Sequence, residues 1–269
     1  MRIAVLGLGL IGGSIGLAAR RRLGATVVGY DPDPAARRAA LGHRAIDRDA
    51  DSVAGAVADA EVVFVAAPVG VLRELVSEVL AAAPADCLVT DTGSVKGMLS
   101  DLGDPRFIGG HPIAGSESAG IEAASIGLFK GARWYLTPPP EVNRQLYRRL
   151  SWVLSEIGAE PAEISVDEHD QLLAASSHLP HVLANALVTL APPGADGPSF
   201  RDGTRVAGSN SDIWVDIYTA NAGQIAAQVD VCIAQLEQVA AWLRAGDAAE
   251  LRAWNDAAAA ARSALREGT

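Results

Sequence analysis

The chain has 269 residues, enough for two domains or for one with a large helical appendage, and 49% of them are hydrophobic, which supports a substantial core. A formal charge of −10 and a pI near 4.9 argue against nucleic acid or an anionic membrane as a main partner, because both are bound through basic surface, and require any anionic ligand to meet a local positive island. Cys87 and Cys232 show neither CxxC nor histidine spacing, and no apolar run reaches membrane-span length, so reduced thiols in a cytoplasmic protein are expected, without disulfide or metal site.

The first strand signal begins at residue 2, so no signal peptide is expected. An apolar run from Ile3 to Leu6 breaks into Gly7-Leu8-Gly9-Leu10-Ile11-Gly12, continues with helical spacing to Leu23 and returns as a second apolar run closing on Asp31. That is strand, glycine turn, helix, strand. The glycines permit a tight turn and let backbone N–H groups approach a pyrophosphate at a helix N-terminus, where the macrodipole favours an anion. Asp31, about twenty residues past the turn, stands where a carboxylate accepts from a ribose 2′-hydroxyl and repels a 2′-phosphate, so NAD is expected. Arg37 and Arg38 leave NADP as the alternative, provided Asp31 turns away. The expected cofactor contacts are Gly7, Gly9, Leu10, Ile11, Gly12 and Asp31, with Pro68 from a later strand end.

Pro32 to Ala40 reads as a turn and a short helix, and residues 47–60 as a segment ending where the next strand begins. Glu61 to Pro68 is a continuous apolar run, the pattern of a strand buried on both faces of a parallel sheet. Val71 to Ala83 follows with helical spacing, and Leu88 to Asp91 is the next strand. Thr92 to Gly97 turns into a short helix, Arg106 to Ile108 runs as a strand into Gly109-Gly110-His111-Pro112, and Arg133 to Thr137 is another strand. Strands alternating with helices to about residue 160 predict a doubly wound parallel sheet. Beyond Glu163 the strand signals stop. Ser165 to Glu168 has capping-box spacing and opens a helix carrying His178 and His181. Ala191 to Gly203, rich in proline and glycine, reads as a loop. Ile225, Val229, Cys232, Leu236, Val239 and Leu243 then alternate by four and three, a seam that asks for a partner helix within the chain or in a second copy. The expected domains are residues 1–163 and 164–269.

In an open parallel sheet, ligands bind beyond the carboxyl ends of the strands. The glycine turn, Ala66-Ala67-Pro68, Asp91 to Ser94 and Gly110-His111-Pro112 leave strands there and should face one crevice. Ser94 is either a helix cap or a member of the site. His111 precedes Ile113-Ala114-Gly115-Ser116-Glu117, a run too rich in small residues for a core segment, and is the candidate base; a satisfied structural histidine is the alternative. His178 and His181, three apart, would share a helix face and suit structural use or substrate contact. Arg205 suits a surface ion pair or the cation an anionic substrate needs, because its planar fork meets a carboxylate bidentately.

Five words, in order, resemble the prephenate and arogenate dehydrogenases of tyrosine biosynthesis: GLGLIGGS at 7–14, DTGSVKG at 91–97, HPIAGSE at 111–117, SHLPHVLANAL at 177–187 and FRDGTRVAGSNSDIWVDIYTAN at 200–221. The resemblance covers nearly the whole chain. It implies an α/β fold in which an N-terminal Rossmann-type doubly wound parallel sheet is followed by an all-helical C-terminal dimerisation domain. The implied activity is NAD-dependent oxidative decarboxylation of prephenate by a homodimer, with arogenate or 4-amino-4-deoxyprephenate as alternative substrates. By the same resemblance His111 accepts the substrate hydroxyl proton, Ser94 orients it, Arg205 grips a carboxylate, and His178, His181 and Glu117 surround the substrate. A hydroxyacid dehydrogenase would instead need a lysine on the first long helix after the sheet, whereas Lys96 and Lys130 both precede it.

Overall fold

In β1 (Arg2–Leu6) every residue after Arg2 is buried, as expected of a strand covered on both faces. The computed structural model describes residues 1–115 and 120–267. Strand β1 pairs in parallel with β2 (Thr26–Tyr30) and with β4 (Val62–Val65). Outside β2 lies the two-residue β3 (Arg48–Asp49), and beyond β4 lie β5 (Leu88–Asp91), β6 (Phe107–Pro112), β7 (Arg133–Thr137) and β8 (Glu160–Glu163), giving the order β3-β2-β1-β4-β5-β6-β7-β8. The order reverses between β1 and β4. A crevice therefore opens past their carboxyl ends, where the flanking connections leave in opposite directions.

Helix α1 (Leu10–Leu23) covers one sheet face. It stops at Gly24, whose left-handed φ of 60° suits glycine, and Arg20, Arg21 and Arg22 in its last turn complement the helix dipole. Ile15 and Ala18 of α1 join Phe64, Trp134 and Leu150 in one core. After α2 (Pro34–Gly42), α3 (Val53–Val57) and α4 (Val69–Ala82) cover the other face, where Leu72, Val76 and Val79 pack with Val63, Val65 and Val89. Two cores on two faces of one sheet are the doubly wound arrangement.

The sheet is mostly parallel, and the exception is β7, which runs antiparallel to β6. A parallel pairing needs a crossover that carries the chain back to the starting end of the sheet. Among the described residues between β6 and β7 there is only a 3-10 turn, Ile121–Ala123, so the chain returns from the end it left. Helix α5 (Arg144–Glu156) then supplies a crossover, and β8 lies parallel to β7.

Three local expectations change. Thr92 to Gly97 yields only a 3-10 turn, Gly97–Leu99, at whose start the N–H groups of Lys96 and Gly97 are met by the Asp170 carboxylate at 2.8 and 2.7 Å rather than by Ser94. The helix opened by Ser165, with its capping box formed, ends after one segment: α6 (Val166–Leu173) passes through a π turn, Ala174–His178, into α7 (Leu179–Leu190). Pro180 explains this, since it lacks an N–H and crowds the carbonyl four residues back, which the wider turn relieves. The expected loop of residues 191–203 gives way at Pro198 to α8 (Pro198–Thr204): Pro198 sits in the first turn, where its missing N–H costs nothing.

Helix α9 (Ser211–Ala220) follows a 3-10 turn, Arg205–Gly208. The chain divides into two compact units, Met1–Ala222 and Gly223–Thr269. The second is formed by α10 (Ala222–Ala245) and α11 (Ala248–Glu267). Along α10, Val231, Ile233, Leu236 and Leu243 are exposed. No described helix is long and apolar enough to cross a membrane.

Candidate active site

A cleft of about 940 Å³ occupies the crevice past β1 and β4. Gly7, Gly9, Leu10, Ile11, Asp31 and Pro68 all line it. Gly7, at φ +91°, must lack a side chain, because a Cβ there would stand 2.3 Å from the Ala66 carbonyl oxygen. Gly12 lies behind the turn; its Cβ would meet the Gly7 carbonyl oxygen at 1.9 Å, so it keeps α1 close to the strand rather than facing the cleft. A Cβ on Gly9, by contrast, meets no atom within 4 Å. Gly9 is also the N-cap of α1 and adds no capping side chain, and the first turn holds no acidic residue. Open space in front of uncapped N–H groups suits a pyrophosphate.

Asp31 is fixed by the loop it serves. Its Oδ2 accepts the Leu8 N–H and its Oδ1 the Asp33 N–H, both at 2.9 Å. Each oxygen keeps a lone pair for a ribose hydroxyl. Arg37 donates to the Asp31 carbonyl at 2.7 Å and pairs with Asp49 and Asp51 at 3.8 and 3.3 Å, so it is already engaged by acidic groups rather than held for a 2′-phosphate.

A second cavity, of about 740 Å³, shares Ser94, His111, Pro112 and Ala114 with the first. Its remaining wall includes Arg133 and Tyr135 from β7 and Leu172, Leu173, Ser176 and Ser177 from α6 and the π turn. The two spaces meet at Ser94 and His111. His111 and Tyr135 are cross-strand neighbours, and Arg133 lies two residues further along the same face. Arg133 is the one Lys or Arg in this wall among the described residues.

His111 is oriented by a partner that sequence reading missed. Its Nδ1 lies 2.9 Å from Nε2 of His169, whose Nδ1 lies 2.7 Å from Oδ1 of Asp170. Burial acts to raise the Asp170 carboxyl, but the His169 hydrogen bond and the Lys96 and Gly97 N–H groups outweigh it and hold it below the usual range. An ionised carboxylate only accepts, so His169 Nδ1 donates; with His169 neutral its Nε2 accepts from His111 Nδ1–H, and the lone pair of His111 falls on Nε2. Burial first, then the neighbouring His169, Lys96 and His178, hold His111 well below its ordinary 6.5, so it is neutral at pH 7. The outcome is a neutral imidazole of defined tautomer.

The strand end that carries His111 is pinned by a buried ion pair. Lys96 bonds the Asp91 carboxylate and donates to the Gly110 carbonyl at 2.9 Å, while Asp91 accepts the Gly110 N–H at 3.0 Å and the Gly93 N–H at 2.8 Å. Burial pulls the Lys96 ammonium below its ordinary value, against the attraction of Asp91. These side chains continue the β5–β6 ladder, which the backbone pairs only at Val89 and Thr90.

The other expected site residues are more dispersed. His178 and His181 are buried and line neither space. His181 stacks on Trp214 at 3.5 Å and bonds Tyr218, while His178 accepts from Asn221 at 3.2 Å, with burial pushing its pKa down to about 4. Arg205 is exposed and lines neither cavity. Glu117 lies outside the described residues. His169 and Asp170 were missed although Val166, His169, Asp170 and Leu173 follow i, i+3, i+4, i+7 spacing. A His-Asp pair on the inward stripe of a helix was the available signal.

The description "prephenate dehydrogenase, nucleotide-binding domain" matches residues 15–162, and "prephenate dehydrogenase, dimerization domain" matches residues 165–256. The prephenate dehydrogenase of Bacillus subtilis is 34% identical over 267 residues, spanning 93% of this chain and 72% of its own length. The cyclohexadienyl dehydrogenase of Zymomonas mobilis is 32% identical over 254 residues, spanning 88% and 86%. A crystal structure of prephenate dehydrogenase from A. aeolicus, in complex with hydroxyphenyl propionate and NAD+, aligns with a TM-score of 0.91 at 28% identity over 98% of each chain. Sequence and fold agree, and the chain belongs to the prephenate dehydrogenase family.

Proposed function

We propose that this protein is an NAD-dependent prephenate dehydrogenase whose first cavity holds the dinucleotide and whose second holds prephenate, with His111 at their junction. The observation that carries the reading is that junction: one neutral imidazole, set by His169 and Asp170, lines both spaces. When bound, NAD supplies the hydride acceptor for C4 of the substrate. His111 Nε2 takes the C4 hydroxyl proton, and the positive charge it acquires is shared toward Asp170 through His169. The C1–carboxylate bond breaks, its electron pair enters the ring, CO2 leaves, and the proton on His111 returns to the phenolate oxygen. Ser94 lines both cavities and serves the hydroxyl end of the substrate. Arg205 is the proposed grip on a substrate carboxylate, with His178, His181 and Glu117 supporting the site. The unpaired cysteines support a reducing cytoplasm, and the exposed apolar residues of α10 support a homodimer.

Initial rates with prephenate, arogenate and 4-amino-4-deoxyprephenate, each under NAD and NADP, test this directly. The expected maximum is prephenate with NAD. A higher kcat/KM for either amine would reassign the substrate, and equal efficiency with NADP would remove the role given to Asp31.

A further inference from the structure

Helix α4 begins where its own sequence leaves it uncapped. Pro68 occupies the N-cap without a side-chain acceptor, and the first turn holds no carboxylate. The acceptor comes from 146 residues away: Asp216 of α9 takes the Gly70 N–H at 3.0 Å. Gly70 makes room for it, because a Cβ there would stand 2.4 Å from Oδ2, and the three nearest atoms all belong to that carboxylate.

Neighbouring residues of α9 are also engaged, while Ile213 and Val215 are exposed. Ile217 is buried in the core that contains Val69 and Leu72 of α4. Trp214 stacks on His181, and Tyr218 bonds His181 and receives the Asn185 amide at 3.3 Å. Just past the helix, Asn221 donates to the Asp170 carbonyl at 2.9 Å. One end of this chain of contacts is the cleft wall at Pro68 and Val69, and the other is the residue that anchors His169 and His111.

We propose that Asp216 is a positioning residue: by capping α4 it sets α9 against the cofactor wall and so fixes the Trp214–His181 stack and the Asn221–Asp170 anchor. The inference rests on the reading of His111 as the base acting on prephenate. A one-ångström displacement of such a support costs up to about a hundredfold in rate without touching the chemistry.

Full-length wild type, D216A, D216N, G70A and the D216A/G70A double variant are compared by kinetics with prephenate and NAD, by NAD titration calorimetry and by thermal unfolding. D216A should lower kcat/KM for prephenate about tenfold to a hundredfold while NAD affinity stays within about twofold. D216N, which keeps an acceptor oxygen, should recover most of the loss. G70A alone should imitate D216A by expelling the carboxylate, and the double variant should be no worse than either single one. Wild-type constants in D216A, loss of NAD affinity in step with prephenate, or additive effects of the two substitutions would each overturn the proposal. Should D216A not fold, D216N and G70A carry the same kinetic comparison. A wild-type enzyme inactive on prephenate would sink the functional reading instead, while the unfolding cycle between Asp216 and Gly70 still decides whether the contact exists.

Discussion

His111→Asn should keep the fold and NAD binding yet lower kcat by about 10²- to 10⁴-fold, the usual worth of a positioned general base. His169→Ala should also lower kcat with little change in either KM, because it removes the group that fixes the tautomer and shares the charge; unchanged kcat would show that the relay is only structural. Since burial holds His111 well below 6.5, kcat/KM should stay level as pH falls through the range where a free imidazole titrates, and decline only at more acid pH. A fall centred at about 6.5 would mean that the base is a more solvated group. Asp31→Ser should narrow the preference for NAD, and should weaken NAD binding as well, because Asp31 also holds the glycine loop through the Leu8 N–H. Arg205→Ala should raise the KM for prephenate by roughly thirtyfold, the consequence of removing about 2 kcal/mol of charge pairing, and spare the KM for NAD. If only the NAD constant moves, the carboxylate assignment is wrong.

At the scale of the element, α6 is the short helix on which the site depends, because it presents His169 and Asp170 from one turn. Its capping box should be worth about 1 kcal/mol, so Ser165→Ala is expected to lower Tm by a few degrees while kcat falls little. The box was legible in sequence because a cap is a local pattern; so were β1, the glycine turn, α1 and β7, each carried by its own apolar spacing. What sequence did not disclose depends on partners far along the chain. Ser94 reads equally as a helix cap or a site member, because Asp170, 76 residues later, is not visible from the DTGSVKG word. The antiparallel turn of β7 depends on how the chain returns between the strands, which apolar periodicity does not encode. The roles of Pro198 and Pro180 are hidden for a related reason: proline ends one helix, opens another or widens a turn, depending on which N–H it replaces.

For the whole molecule, acid should act before the ordinary carboxylates titrate. His178 is pushed down to about 4 and His111 well below 6.5, both first by burial. Folded, they are neutral in a range where the unfolded chain carries them protonated at about 6.5, so the unfolded state binds more protons and stability falls as pH drops from about 6.5 toward 4. Tm measured across that interval should decline, and His178→Asn should flatten part of the slope; a level Tm would mean that neither histidine is buried neutral. Assembly belongs to the same scale. Helix α10 has 24 residues, about 36 Å of length, and its four-three seam leaves Leu236 54% and Leu243 62% exposed. An apolar stripe of that extent on a chain of −10 charge is poorly explained as free surface. We expect a homodimer of twice 27.8 kDa at micromolar concentration, burying on the order of 2,000 Å² or more, as obligate dimers do. Leu236→Asp with Leu243→Asp places two charges in the seam and should yield the monomer mass by light scattering. Wild type running as a monomer would refute the dimer, and the double variant remaining a dimer would place the assembly surface on another part of the molecule.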